Sequence, residues 1–389
     1  MLHAWWFAAV THLPNHTMIV ASPATAGRET TPYFGLLDGL RGIAAVAVVV
    51  FHFMEFAVPD YADNFIAHAY FAVDFFFCLS GFVIACAYDT HLEKIGAASF
   101  LLRRLIRLHP LVVIGSFLGL LTFRLDPFSD LYTAYAPKVL PLLVTSCLLI
   151  PYPLVPERYF NLFHLNPPTW SLFWEYVATV VYAFVLVRVR PGVLHILTGL
   201  AAVALIYEAH AATNLAVGWG GENVGGGAVR VSYSFLMGLV VYRAQWILPT
   251  RLGFLSLALL LLAAFLLPFA KQVNWLTDSV VVLFYFPFLV ALGAGARMTL
   301  RSAKLCTFLG AISYPLYMIH YPFLWIFLSY IEKQKPPLST LAVLIPLGVL
   351  FLVLLAYGIM RFVDTPLRSY LSQKLKLEQA AVSYGKVNR

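Results

Sequence analysis

From residue 36 to residue 362 the chain returns, about every thirty residues, to a long unbroken apolar run. An apolar stretch of about 20 residues spans a bilayer as a helix. In lipid, only helices and closed barrels satisfy their own backbone hydrogen bonds. The runs lack the period-two alternation of barrel strands, so the sequence predicts an all-α, polytopic membrane bundle. Composition points the same way: 61% of the 389 residues are hydrophobic and 11% are charged, against about 25% charged in soluble domains.

Hydropathy marks segments near 36–54, 68–88, 108–124, 137–150, 169–188, 192–209, 230–247, 252–269, 278–296, 306–329 and 338–360. The segment 137–150 is short, contains Pro141 and runs into "PYPLVPERYFNLFHLNPP", which suits a re-entrant or interfacial piece. Without it, about ten spans remain. With both termini cytoplasmic, most Lys and Arg then fall on the inner side, as the positive-inside rule requires. The net charge of +8 is therefore expected to be topological, with no nucleic acid among the partners. The expected organisation is an N-terminal tail over 1–33, a membrane domain over 34–368 and a basic cytoplasmic tail over 369–389. The tail 1–33 lacks a basic n-region and reads as a poor signal peptide. Four cysteines lie in or beside apolar runs without metal-ligand spacing, and no metal is expected.

Ionisable residues at membrane depth are costly and point to a site or a buried pair. Arg41 and His52 are eleven residues apart, so on one helix they share a face to within about 20° and stand ~16 Å apart along its axis. Arg41 then sits at the inner interface and His52 near mid-membrane, as a packing histidine or a working one. Asp74 and Ser80 lie in the next run. Asp74 is placed to pair with a histidine, to cap its helix or to meet Arg41. Arg103, Arg104 and Arg107 form one cationic face by i,i+3 and i,i+4 spacing, suited to phosphate or to simple anchoring. Glu175 is the one acid in its span, and His320 lies between Pro315 and Pro322, in a kinked, cavity-lining helix or a packed core. Asp364 between Arg361 and Arg368 reads as an interfacial ion-pair cluster. The glycine-rich "GWGGENVGGGA" at 218–228 reads as a flexible outer loop over a cleft.

Five stretches, in order, carry a resemblance: "LDGLRGIAAVAVVVFH" with Arg41 and His52 in R-x10-H spacing, "VDFFFCLSGFVIA", "RRLIRLHPL" with R-x-x-R at Arg104 and Arg107, "TWSLFWEYVATVVY" and "ISYPLYMIHYP". Together they resemble the acyltransferase-3 family of integral membrane O-acyltransferases, from about residue 34 to 368, in a stand-alone form without an appended esterase-like domain. The resemblance implies transfer of an acyl group, usually acetyl, from cytoplasmic acyl-CoA (acetyl-CoA as co-substrate) to a hydroxyl. The acceptor would be a surface or exported glycan, or a small metabolite such as a macrolide, at the cell membrane. On that reading His52 is general base or transient acyl carrier, and Asp74 or Glu175 orients it. Arg41 holds donor phosphate or the oxyanion, Arg103, Arg104 and Arg107 hold CoA phosphates, and Ser80, Trp170, Tyr314 and His320 contact substrate. The rival from another class is a transporter or flippase, although no internal repeat is visible.

Overall fold

A computed structural model describes residues 34–375. Twelve helices of nine or more residues make up the fold, and no strand occurs among the described residues. In chain order they are α1 (Gly35–Ala57), α2 (Ala72–Tyr88, led in by a 3-10 turn at Ala67–Phe71), α3 (Ala97–Leu125), α4 (Val139–Cys147), α5 (Thr169–Phe184) and α6 (Pro191–Ala211). Then come α7 (Val224–Arg243), α8 (Phe254–Phe265), α9 (Asn274–Gly295), α10 (Leu300–Ile319), α11 (Tyr321–Gln334) and α12 (Leu338–Leu375). The chain is an all-α membrane bundle.

Seven helices are long and apolar enough to cross a membrane, and the bent pair α10–α11 makes an eighth. Each of the ten expected spans has its helix, but two fall short of the length a span needs. α5 has 16 residues and α8 has 12, about 24 and 18 Å at 1.5 Å per residue. α5 cannot extend backwards because Pro167 and Pro168 precede it, and forwards it gives way to a 3-10 turn at Leu186–Arg188. The piece read as re-entrant is the nine-residue α4, held to α3 by a Ser116–Ser146 hydroxyl hydrogen bond of 2.8 Å. The expected tail 1–33 lies outside the described residues, as do 376–389. α12 continues through the expected boundary at 368 to Leu375.

α1 is the central helix, packed along α10 and flanked by α8, α9, α11 and α12. Small residues permit its closest approaches: a Cβ on Gly42 would strike Leu309, and one on Gly310 would strike Asp38. α2 and α7 cross as tightly, since a Cβ on Gly81 would meet the Phe235 carbonyl and one on Gly238 the Cys78 carbonyl. Without a hydrophobic drive between helices in lipid, such small-residue contacts supply the packing. α6 and α12 instead turn Ile196, Leu200, Val203, Leu347, Leu350 and Leu354 outward, as lipid-facing helices do.

The stretch between α4 and α5 is irregular but bonded. The Leu162 amide donates to the Trp219 carbonyl at 2.9 Å and the Gly221 amide to the Phe160 carbonyl at 3.0 Å, so residues 151–168 and 212–223 form one cover at one end of the bundle. The glycine-rich stretch expected to be a flexible loop is mostly fixed. Val224–Gly227 is the first turn of α7, the Asn223 side chain accepts from the Gly218 and Gly220 amides at 2.9 Å each, and Gly218 takes a φ of +109° that favours glycine.

Candidate active site

Two cavities lie end to end inside the bundle. The first, about 370 Å³, is lined by His52 and Glu55 of α1, by Tyr61, Tyr70 and Arg230, and by an aromatic wall that includes Trp170, Trp219, Tyr321 and Trp325. The second, about 120 Å³, is lined by Arg41, Arg104, Arg107 and Arg368, with Ser80, Glu175, Ser313 and Tyr314. Val73 of α2 and Tyr317 of α10 line both. α1, α2, α5 and α10 each contribute to both cavities, which follow their length and meet at Val73 and Tyr317.

The helical arithmetic for α1 holds in three dimensions. Arg41 and His52 both face the α10–α11 pair. The Arg41 Nε donates to Ser313 Oγ at 2.9 Å and an η-nitrogen to the Gly310 carbonyl at 3.1 Å, with Asp38 at 3.0 Å. His52 stacks on His320, ring centres 5.5 Å apart, with Tyr321 edge-on at 4.8 Å. The meeting is made possible by a 52° bend between α10 and α11, where Pro315 and Pro322 interrupt the ladder around His320.

The carboxylate at His52 is Glu55, one helical turn on. His52 Nδ1 lies 2.9 Å from Glu55 Oε2, and the Tyr61 hydroxyl donates to Glu55 Oε1 at 2.8 Å. An ionised carboxylate only accepts, so Nδ1 carries the proton, and in the neutral ring Nε2 keeps its lone pair. Nε2 has no hydrogen-bond partner among the described residues and is left for whatever enters the cavity. The sequence signal for Glu55, an acid at i+3 from His52, was available and is missed by a reading that seeks the partner on other helices.

The expectation that Asp74 or Glu175 orients His52 is corrected. Asp74 is fully buried and accepts from Arg230 through Nε at 3.2 Å and an η-nitrogen at 2.6 Å. Arg230 also donates to the carbonyls of Val217 and Tyr70 at 2.9 Å each and lies over the Trp170 ring at 5.3 Å. This pair braces the wall of the His52 cavity. Glu175 pairs with Arg104 and accepts from the Ser80 hydroxyl at 2.9 Å, so it serves the arginine cavity.

The cationic cluster differs in membership from the expected trio. Arg104 and Arg107 line the cavity, but Arg103, one residue and about 100° away on the helix, does not. Its place is taken by Arg41 from α1 and Arg368 from α12. Arg368 pairs with the buried Asp364, so the acid and the second arginine of the expected interfacial cluster face inward, beside the π-helical turn Met360–Asp364. A π turn shifts the phase of every residue after it. Among the residues expected at substrate, Trp170 lines the His52 cavity, while Ser80 and Tyr314 line the arginine cavity, where the Tyr314 hydroxyl donates to the Leu108 carbonyl at 2.6 Å. His320 lines neither. It lies buried behind His52, with Nδ1 3.1 Å from the Leu316 carbonyl. No group of three or more metal-ligating side chains occurs among the described residues.

A family model described as an acyltransferase domain matches residues 34–361, which takes in the helices lining the two cavities as far as the first part of α12 and ends seven residues before Arg368. A curated protein of Rhizobium radiobacter, "Protein 2 in picA locus", is 41% identical over 160 residues, 39% of this chain and 81% of that protein. No solved structure matches. With the model match spanning most of its length, the chain belongs to the acyltransferase-3 family of membrane proteins.

Proposed function

We propose that this protein is an O-acyltransferase that moves an acyl group, acetyl above all, from acyl-CoA in the arginine cavity to a hydroxyl of a glycan in the His52 cavity. The observation that carries this reading is the end-to-end arrangement: an arginine-lined cavity and a cavity with an oriented imidazole meet at one junction. Guanidinium forks suit phosphate and pyrophosphate. A space of about 120 Å³ is below the usual 300–1,000 Å³ of a whole-ligand site. It therefore takes the narrow thioester arm of CoA, with the nucleotide phosphates at the arginine rim.

In the transfer, His52 Nε2 takes the proton of the acceptor hydroxyl as its oxygen attacks the thioester carbonyl carbon. The carbon–sulfur bond breaks, and the departing CoA thiolate takes the proton from the imidazolium. Glu55 holds the ring through Nδ1 and balances its charge when Nε2 is protonated, the role an acid plays beside histidine in hydrolytic triads. A sugar ring offers apolar faces and a polar rim, which match the aromatic wall and the few polar groups of the larger cavity. The arginine end, by the positive-inside rule, is the cytoplasmic end of a cell-membrane protein, so donor and acceptor reach the junction from opposite sides.

Purified protein in nanodiscs, given acetyl-CoA labelled in the acetyl group and a panel of oligosaccharides, is expected to form an alkali-labile labelled ester. His52→Ala, still folded, is expected to lose about 10²-fold or more of the rate, the usual contribution of a general base. A wild-type protein that forms no ester, or a His52→Ala protein that keeps full transfer, overturns the reading.

A further inference from the structure

The junction between the cavities is built by few side chains. Tyr317 is held across it: its hydroxyl hydrogen-bonds Ser171 Oγ at 2.7 Å, and Ser171 Oγ donates in turn to the Pro168 carbonyl at 3.0 Å. Phe76 meets the Tyr317 ring edge-on at 5.7 Å. Val73 stands one turn before Phe76 on α2 and, like Tyr317, is buried. Ser171 lines the arginine cavity and Pro168 the His52 cavity, so the hydrogen-bond chain fixes Tyr317 where the two spaces abut.

This position has a consequence for the acyl group. A thioester arm entering from the arginine end places its carbonyl at the junction when it meets His52, and any chain attached to that carbonyl must fit among Val73, Tyr317 and their neighbours. Val73 carries no polar group, the Tyr317 hydroxyl is tied to Ser171, and both side chains occupy volume. We propose that Val73 and Tyr317 are the specificity-determining residues for acyl length, restricting the transferred group to a short chain by filling the space between the cavities. This inference rests on the acyltransferase reading above.

The test is a rate series with acetyl-, butyryl- and hexanoyl-CoA on one acceptor, for the wild type, Val73→Ala, Val73→Ile and Tyr317→Leu. A single methylene in a tight pocket is worth about tenfold or more in selectivity. Val73→Ala and Tyr317→Leu are therefore expected to raise the hexanoyl-to-acetyl ratio by at least about tenfold, while Val73→Ile lowers the butyryl-to-acetyl ratio. The paired, opposite changes at Val73 keep the test decisive if Tyr317→Leu fails to fold. Unaltered ratios in folded variants that still transfer acetyl overturn the proposal. Binding of the unreactive thioethers S-ethyl-CoA and S-hexyl-CoA gives a second readout: relaxed discrimination is expected in Val73→Ala, and unchanged discrimination counts against the proposal. A wild type that binds S-ethyl-CoA but transfers nothing defeats the transferase reading instead, and the thioether series then still decides whether these two residues measure chain length.

Discussion

Glu55 is the carboxylate that holds the His52 ring. It fixes the tautomer by accepting from Nδ1, and Tyr61 holds the carboxylate in turn. Glu55→Gln removes the charge that stabilises the imidazolium and lets the ring adopt either tautomer. The expected outcome is a fall of about 10²-fold or more in kcat with little change in KM for acyl-CoA, measured by steady-state transfer, because the arginine cavity is untouched. A change confined to KM would remove Glu55 from this role. At this scale the sequence was informative where geometry is local. The spacing of Arg41 and His52 on one helix predicts their shared face, and helical periodicity is enough for that. The same periodicity separates Arg103 from Arg104 and Arg107, yet only the packing of α3 decides which of the three faces the cavity. Asp74 and Arg230 lie 156 positions apart. Nothing in the local pattern pairs them, although Arg230 is the one charge inside an otherwise uncharged stretch of α7.

That pair is also a buried polar tie between elements. It joins α2 to α7 at the cavity wall, where the glycine contacts already bring the two helices close. Removing one partner of a buried ion pair strands the other and costs about 3–5 kcal/mol, whereas replacing both with apolar residues of similar size is often neutral. Asp74→Leu alone is accordingly expected to unfold at a markedly lower temperature in detergent. The double variant Asp74→Leu with Arg230→Met is expected to recover most of the loss, as judged by thermal unfolding followed with a thiol-reactive dye on the buried cysteines Cys78 and Cys306. A single variant that melts with the wild type would show that the pair holds no structure. At the level of elements, hydropathy located every span but did not give their lengths. The short α5 and α8 are set by flanking prolines and turns and by what lies beside them, which a window average smooths away. The bend at His320 was foreshadowed by its two prolines, while its angle belongs to the packing against α1.

Across the whole molecule, arginines gather in one of the two cavities. Four arginines converge there from α1, α3 and α12, and one of them, Arg368, stands beyond the part of the chain matched by the family model. If phosphates dock at this rim, Arg107→Gln and Arg368→Gln are each expected to raise KM for acyl-CoA several-fold, leave KM for the acceptor unchanged and weaken the dependence of KM on salt, since screening acts on the lost charge. Initial-rate measurements from 50 to 500 mM salt, roughly a threefold range in screening length, would show it, and a matching change in acceptor KM would speak against a donor site. The assembly of this cluster from distant segments is the part of the site least visible in the linear chain, because each arginine alone looks like a membrane anchor.

The junction at Val73 and Tyr317 has a consequence of its own. A continuous wet channel through a bilayer would let protons and small ions run down any gradient that the membrane sustains. A valine and a tethered tyrosine ring, with Phe76 behind them, leave almost nothing for a file of water molecules to hydrogen-bond. On the transferase reading, the same few side chains are expected to act as electrical insulation, so that reactants meet while the membrane itself stays sealed.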